Sequence, residues 1–352
     1  MNKISVIIPS YNSEDTISRC LNSVLFQAFS DLEIILIDDC STDNTISKIE
    51  QFKEKDRRIK LLRNKSNKGA GYSRNRGLKV ATGNYITFID SDDFISTNTY
   101  ESINQTIKAA KNPDIVRYRQ CSRLYIKNLH INLNFFTNNI YNNQTGIIVP
   151  RQNPQYVALE TPGVCNKVFN RELIGNTTFP EAKWEDYPFC TFLLGKAKTI
   201  AFDPNGRYYY CHPARFNNTT LSDIKKPSSE LLDIYDCCDL LEDRYKREGL
   251  FDTYEKAIKG NQKIHSLQRT RDIMLSSRYT QEEKRKIINY LINLTTIKYG
   301  EIFSDEYYKF MKLKKIFYRT RMEYIEKYYY DGSSQTSLTE EELKEEIKRL
   351  IR

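Results

Sequence analysis

At 352 residues, 39% hydrophobic and 28% charged, the chain is long enough for one large core or two smaller ones and has a globular composition. No apolar run reaches the roughly 18 residues that a membrane-spanning helix needs, and MNKISVIIPSYNSED turns polar too soon for a secretory leader, so a cytoplasmic protein is expected. The net charge of +9 suits nucleic acid, anionic lipid or a phosphorylated small molecule, and charge alone does not choose among them.

The first hundred residues alternate between two periodicities. KISVIIPS is a short β-branched strand ended by Pro9. SEDTISRCLNSVLFQ then opens with Ser13 and Asp15 as helix-start residues and puts Ile17, Leu21, Val24 and Leu25 on one helical face. LEIILIDDCS is a second strand, and STDNTISKIEQF a helix with Ser or Thr at its cap. IKLLRN is a third strand, NKGAGYSRNRGLKVA a Gly-rich approach to another helix, and NYITFIDSDD a fourth strand. Such βα alternation predicts a mainly parallel sheet covered by helices on both faces. The eight cysteines, at 20, 40, 121, 165, 190, 211, 237 and 238, form no CxxC pair and are expected as reduced structural thiols.

Ligands of such sheets bind beyond the carboxyl ends of the strands. Polar residues gather there: Ser10, Tyr11 and Asn12 after the first strand, Asp38 and Asp39 after the second, Asn67 to Arg74 after the third, Asp90 to Asp93 after the fourth. Carboxylates this close repel unless a cation neutralises them. One solution is an Arg or Lys partner. Another is Mg²⁺ or Mn²⁺, held by one or two carboxylates with water and phosphate oxygens in the remaining positions. Alternatively, Asp92 and Asp93 cap the next helix and lie in solvent. Lys68, Arg74 and Arg76, in and after the Gly-rich turn, suit phosphate, or else a solvated basic helix start. Asp39 suits a base or ribose, or a helix cap. GAGYSR is followed by no GK[ST], which disfavours a P-loop ATPase.

SVIIPSYNSEDTISRCLNSVLFQ, EIILIDDCSTDNT and NKGAGYSRNRGLKVATGNYITFIDSDD together resemble the amino-terminal half of family 2 glycosyltransferases, nearly continuously over residues 3 to 95. CNKVFNRELI, FPEAKWEDYPF and YYYCHPARFNNTT resemble the acceptor half, extending the likeness to about residue 221. The resemblance implies the GT-A fold, a Rossmann-like mainly parallel sheet. It also implies a catalytic domain over 1–221, with a nucleotide-binding half at 1–95 and an acceptor half at 96–221, before a helical region at 222–352.

Residue by residue, the resemblance carries the following roles. Pro9, Tyr11, Asn12 and Glu14 match the first nucleotide-contacting loop, and Asp39 the aspartate that reads uracil or its equivalent. Asn67, Gly71 and Arg74 match the loop bordering base and diphosphate. Asp90, Ser91 and Asp92 match the Asp-x-Asp signature, with Asp92 as the direct ligand of Mn²⁺ or Mg²⁺, Asp90 on ribose or metal-bound water, and Asp93 in support. In WEDYPF, Glu185 and Asp186 match the family's acidic pair, which assigns Asp186 as catalytic base and Glu185 to orienting the acceptor. His212 and Arg215 fall where the family places groups near diphosphate or metal, although CHPARFNN departs from the expected Tyr-Arg-x-Arg-x-x-Ser pattern. Asn166 and Lys167 are candidates for contacting the acceptor or its phosphate.

Beyond residue 222 the pattern becomes helical and rich in Lys, Glu and Leu, with Leu231, Ile234, Leu240 and Leu241 as apolar steps. KLKKIFYRTRMEYIEKYYY mixes basic and aromatic residues, as packing, an oligomer contact, an acidic polymer or an anionic membrane would require. YDGSSQTS reads as a link to SLTEEELKEEIKRLIR, an exposed or partner-docking helix with a capping signal. The expected activity is inverting transfer of a sugar from a nucleoside diphosphate donor, a UDP-sugar first of all, to a hydroxyl of a bacterial surface glycan or lipid-linked oligosaccharide. Such an acceptor brings the protein to the inner membrane face peripherally, without nucleic acid, and the carboxy-terminal helices leave room for a homo-oligomer. Two alternatives remain: a non-catalytic basic protein that binds polysaccharide or nucleic acid, and a nucleotidyltransferase. WEDYPF, together with the lack of a G-x-G-T-R-like opening after the first strand, argues against the latter.

Overall fold

A computed structural model describes residues 2–126, 129–132, 144–213, 229–267, 270–302, 325–327, 329–330 and 338–351. The chain divides into two compact units, Met1–Tyr156 with Glu160–Ala214, and Val157–Leu159 with Arg215–Arg352.

The first unit is built on one ten-stranded sheet. β1 (Ile4–Ser10), β2 (Leu32–Asp38), β3 (Ile59–Arg63) and β4 (Tyr85–Phe88) pair in parallel, with Ile4 opposite Leu32 and Ser10 opposite Asp38. Every residue of β1, β2 and β4 is buried, as a parallel sheet covered on both faces requires. α1 (Ile17–Leu25), α2 (Thr45–Lys55) and α3 (Gly69–Val80) connect them. α1 buries Ile17, Cys20, Leu21 and Val24. It begins later than the Ser13 signal predicts, because the Ser13 hydroxyl shares a 2.7 Å hydrogen bond with Ser91 instead of capping a helix. α3 lies directly on β1: a Cβ at Gly77 would sit 2.6 Å from the Ile7 Cγ2 methyl, so only glycine allows this approach.

Beyond β4 the sheet becomes mixed, in the order β3-β2-β1-β4-β9-β6-β10-β5, through β5 (Phe94–Ile95), β6 (Ile115–Ile126), β9 (Lys167–Asn170) and β10 (Ile200–Pro213). β9 runs antiparallel to both β4 and β6, and β10 parallel to β6. β7 (Leu129–Asn132) and β8 (Gly146–Ile148) pair with β6 and β10. α4 (Thr99–Ala109), α5 (Pro154–Leu159), α6 (Arg171–Ile174) and α7 (Asp186–Lys196) complete the connections. All eight cysteines are free thiols, as expected.

The second unit is helical: α8 (Asp233–Arg247), α9 (Phe251–Leu267), α10 (Thr270–Leu275), α11 (Gln281–Tyr299) and α12 (Glu340–Ile351). Within it, Lys298 of α11 pairs with Asp239 at 2.7 Å and Glu340 at 2.8 Å. The expected capping signal of the last helix is present, with Thr339 and Glu342 exchanging hydrogen bonds. The expectation of an exposed helix is corrected. α12 packs on α11 and buries Leu343, Ile347 and Ile351, because its apolar residues recur every four positions and form one stripe. Most of the basic aromatic stretch at 312–330 and of the link at 330–337 lies outside the described residues. Among the described residues no helix is long and apolar enough to cross a membrane.

Candidate functional site

The carboxyl ends of β1, β2 and β4 and the start of α3 enclose a cleft of ≈ 510 Å³. It brings together most of the nucleotide-binding candidates: Pro9, Tyr11 and Asn12 after β1, Asp39 after β2, Asn67 before α3, and Asp90, Ser91 and Asp92 after β4. Glu14, Gly71 and Arg74 stand behind this lining. The Glu14 carboxylate accepts the Asn44 N–H at 3.0 Å, which joins the loops after β1 and β2. Asn12 makes the same junction from within the cleft, its side-chain oxygen accepting the Thr42 N–H at 2.8 Å. Left-handed backbone recurs around the site, at Asn12 (φ 45°), Cys40 (φ 67°) and Trp184 (φ 67°). Such conformations cost on the order of 1–3 kcal/mol each and persist only where surrounding bonds enforce them.

Asp39 organises the loop before α3. Its carboxylate accepts the Gly69 N–H at 2.7 Å, the Lys68 N–H at 2.9 Å and the Asn64 side-chain amide at 2.6 Å. The helix-cap alternative thus contains part of the truth, since Lys68 and Gly69 open α3.

The turn after β4 separates its three aspartates. Asp93 is buried, accepting hydrogen bonds from the Tyr208 hydroxyl and, at 2.7 Å, from the Cys211 N–H. Burial, followed by the charges of Asp90 and Asp92, pushes its carboxyl up to about 8. Asp92 is exposed at the cleft, and Arg19 donates to its carbonyl. Capping of the next helix is ruled out, because α4 has Asn98 as its N-cap. Asp90 pairs with Arg74 at 2.8 Å and accepts the Cys165 thiol at 3.4 Å.

Arg74 links this turn to the acidic pair. Its side chain is 6% exposed, and its second guanidinium nitrogen lies 2.7 Å from Glu185. Burial opposes the charge, but the Asp90 and Glu185 carboxylates more than offset it and hold the guanidinium protonated. Glu185 and Asp186 start α7 immediately after the left-handed Trp184. Asp186 is half-buried, and burial, then the Glu185 charge, push its carboxyl up to about 7, against the pull of Arg74. A carboxylate balanced near neutrality suits proton abstraction.

Gly71 explains itself here. A Cβ would sit 2.9 Å from Glu185 Cγ and 3.0 Å from the Pro180 carbonyl. Alanine favours a helix by about 1 kcal/mol over glycine. Gly71→Ala is expected to lose stability despite this preference, because Glu185 and the Pro180 carbonyl must give way, and to lose activity at least about tenfold, because displacing Glu185 disturbs a positioned site. Wild-type turnover in this variant would refute the tight contact.

Several expectations are corrected. Lys167 is fully buried, with its ammonium donating to the carbonyls of Thr161 and Gly163 at 3.0 and 2.8 Å and to the Asn166 side chain at 3.0 Å. It fixes a loop and has no access to an acceptor. Asn166, 2% exposed, spends its amide on the Tyr118 carbonyl. Lys68 and Arg76 line a different hollow from the cleft. The backbone of His212 pairs with Leu124 in the sheet, while its side chain and all of Arg215 lie outside the described residues. Arg19, Tyr208 and Cys165 support the turn unforeseen, since isolated residues of these types carry no local pattern.

The metal expectation has a partial fit. Among the described residues no three His, Cys, Asp or Glu side chains converge into a closed cage. The exposed Asp92 carboxylate beside Asp90 instead matches the open mode of Mg²⁺ or Mn²⁺, in which substrate phosphate and water complete the shell.

The sequence matches "Glycosyl transferase family 2" over residues 5–169. The uncharacterized glycosyltransferase YibD of Escherichia coli (strain K12) is 43% identical over 102 residues, and the match spans 29% of this chain and 29% of that relative. The E. coli protein WfgD, named as a UDP-Glc:alpha-D-GlcNAc-diphosphoundecaprenol beta-1,3-glucosyltransferase, is 32% identical over 229 residues, 63% of this chain and 80% of the relative. The crystal structure of S. aureus TarS 1-349 in complex with UDP aligns with a TM-score of 0.63 over 92% of this chain and 91% of that chain, and at 22% identity this likeness establishes a common fold. Sequence likeness across four-fifths of WfgD, with a parallel sheet whose strand ends carry the acidic turn, places this chain among the family 2 glycosyltransferases of the GT-A fold.

Proposed function

We propose that the enzyme transfers a sugar from a UDP-sugar to a hydroxyl of a bacterial surface glycan or lipid-linked oligosaccharide, with inversion at the anomeric carbon and with a divalent metal. The observation that carries this reading is the Asp90–Arg74–Glu185 bridge, with contacts of 2.8 and 2.7 Å, which sets a cleft carboxylate and the Asp186 neighbourhood on either side of one guanidinium. The names of WfgD and of the UDP complex of TarS support the donor, and that of WfgD supports a lipid-diphosphate-linked acceptor.

In this mechanism the loops after β1, β2 and β3 hold the nucleoside against Tyr11, Asn12, Asp39 and Asn67. Asp92 would hold the metal, with Asp90 on ribose or metal-bound water, and the metal when bound supplies positive charge to the departing diphosphate. Asp186 takes the proton of the acceptor hydroxyl as it attacks, and one positioned carboxylate is sufficient for that task. Arg74 pairs with both Glu185 and Asp90 and holds them in place around it. A single direct displacement of this kind inverts the anomeric configuration.

The test is a panel of UDP- and GDP-sugars incubated with the protein in Mn²⁺ or in EDTA, with and without a lipid-diphosphate sugar acceptor, reading release of the nucleoside diphosphate. One UDP-sugar is expected to turn over in Mn²⁺ and to fall silent both in EDTA and in Asp92→Asn. Turnover that persists in EDTA would remove the metal from the mechanism. A GDP-sugar consumed in place of every UDP-sugar would overturn the donor assignment.

A further inference from the structure

The loop at residues 64–69 has two occupied faces. One borders the cleft through Asn67 and Gly69. The other closes a hollow of ≈ 380 Å³ lined by Arg63, Lys65, Ser66, Lys68, Tyr72 and Arg76, with Asn64 at its base, and the two linings share no residue. We propose that this hollow is a second anion site, built for a phosphate-bearing ligand that is not the sugar donor in the cleft.

Four cationic side chains face one concavity, and among the described residues the only carboxylate in ion-pair range of them is Glu50, 3.8 Å from Arg63 with both side chains half exposed. A pair that long and that wet contributes little, so the positive charge of the hollow stands almost uncompensated. The arrangement is also fixed in advance. The Arg76 guanidinium donates through one nitrogen to the Arg63 carbonyl at 2.7 Å and to the Asn64 side-chain oxygen. Asn64 is itself buried, donating to Asp39 at 2.6 Å and to Ser73 at 3.0 Å. Arg76 is thus held by one edge and keeps donors for a tetrahedral oxyanion, while Lys65 and Lys68 supply mobile charge and Tyr72 a phenol. With only the wet Glu50 pair opposing four cations among the described residues, the hollow favours phosphate over a cation or a neutral sugar.

The hollow is tied to the cleft by the shared loop, because Asp39 in the cleft accepts the N–H groups of Lys68 and Gly69. An anion bound behind the loop therefore restrains a wall of the donor site. The phosphate can come from a small anion such as pyrophosphate or from the phosphodiesters of a polymer.

The test is calorimetric titration of the full chain with pyrophosphate in EDTA, where no metal bridges the probe to the cleft aspartates. Wild type is expected to bind with a steep loss of affinity as salt rises. Lys65→Glu and Arg76→Gln are each expected to weaken binding at least about tenfold, the scale of one charge-assisted hydrogen bond, while Asp92→Asn leaves it unchanged. Lys65 is exposed, so its variant stays informative even if Arg76→Gln loosens the loop. Displacement of the pyrophosphate by poly(glycerol phosphate) would support the site and assign it to phosphodiester polymers. Retention would support it as a small-anion site. No binding by wild type, or binding indifferent to Lys65→Glu and Arg76→Gln, would overturn the proposal.

Discussion

Asp186→Asn is expected to lower turnover by about 10²–10⁴-fold with little change in donor affinity, the range that removal of a general base produces. The amide keeps the shape and loses only the capacity to take a proton. The same carboxyl sets the pH dependence. Because Asp186 titrates at about 7, kcat/KM of the wild type is expected to rise about tenfold per pH unit below 7 and to level off above it. A flat profile between pH 5.5 and 8 would deny Asp186 the role of base.

Asp186 also ties activity to stability. Its carboxyl titrates near 3.8 when unfolded and at about 7 when folded, so between these values the folded chain holds a proton that the unfolded chain has lost. Its contribution to stability is therefore full below pH 3.8 and is lost as pH rises through 7. Asn never ionises and escapes this loss. The inactive Asp186→Asn protein should consequently melt higher than wild type at pH 8, by about 2–4 °C per kcal/mol recovered, and the gap should narrow towards pH 5. Solvent access to the half-buried carboxyl limits the gain. Equal melting temperatures at pH 8 would mean that the carboxyl titrates normally.

The parallel half of the fold was legible because β1 to β4 are short segments dominated by apolar residues, each followed by polar residues that the folded sheet collects at one edge. Asp39, Asp90 and Asp92 were found for the same reason: position at a strand end is a local property. What a side chain does there is settled by partners remote in sequence. Asp93 and Asp92 are neighbours, yet one is buried against Tyr208 and Cys211 and the other meets solvent, and those partners are more than a hundred residues away. The resemblance offered Lys167 as an acceptor contact. The carbonyls of Thr161 and Gly163 capture it, with Glu160 at 3.5 Å balancing its charge, and neither the loop nor the burial is written in the motif. The capping signal of α12 was read correctly, but a local pattern does not say whether a helix's apolar face is covered by the same chain or by another.

Arg74→Met has the largest expected effect on the fold. Methionine fills the space of the stem and removes the charge, leaving Asp90 and Glu185 facing each other across a site where Arg74 is 6% exposed. Breaking a buried pair by deleting one partner costs about 3–5 kcal/mol, because the remaining charge stays desolvated. Asp90 and Glu185 are 33% and 18% exposed, so water screens part of the loss and the lower end of that range is expected. Arg74→Lys should recover only part of it, since one ammonium cannot span both carboxylates with the fork that a guanidinium presents. Arg74 also draws the Asp186 carboxyl down. The profile of any turnover left in Arg74→Lys should still rise with its midpoint near pH 7, whereas that of Arg74→Met should have its midpoint at higher pH. Urea unfolding measures the first effect and a pH-rate profile the second. If Arg74→Met unfolds within 1 kcal/mol of wild type, a threshold below the cost of any buried uncompensated charge, the bridge between the turn after β4 and the acidic pair of α7 does not hold the site together.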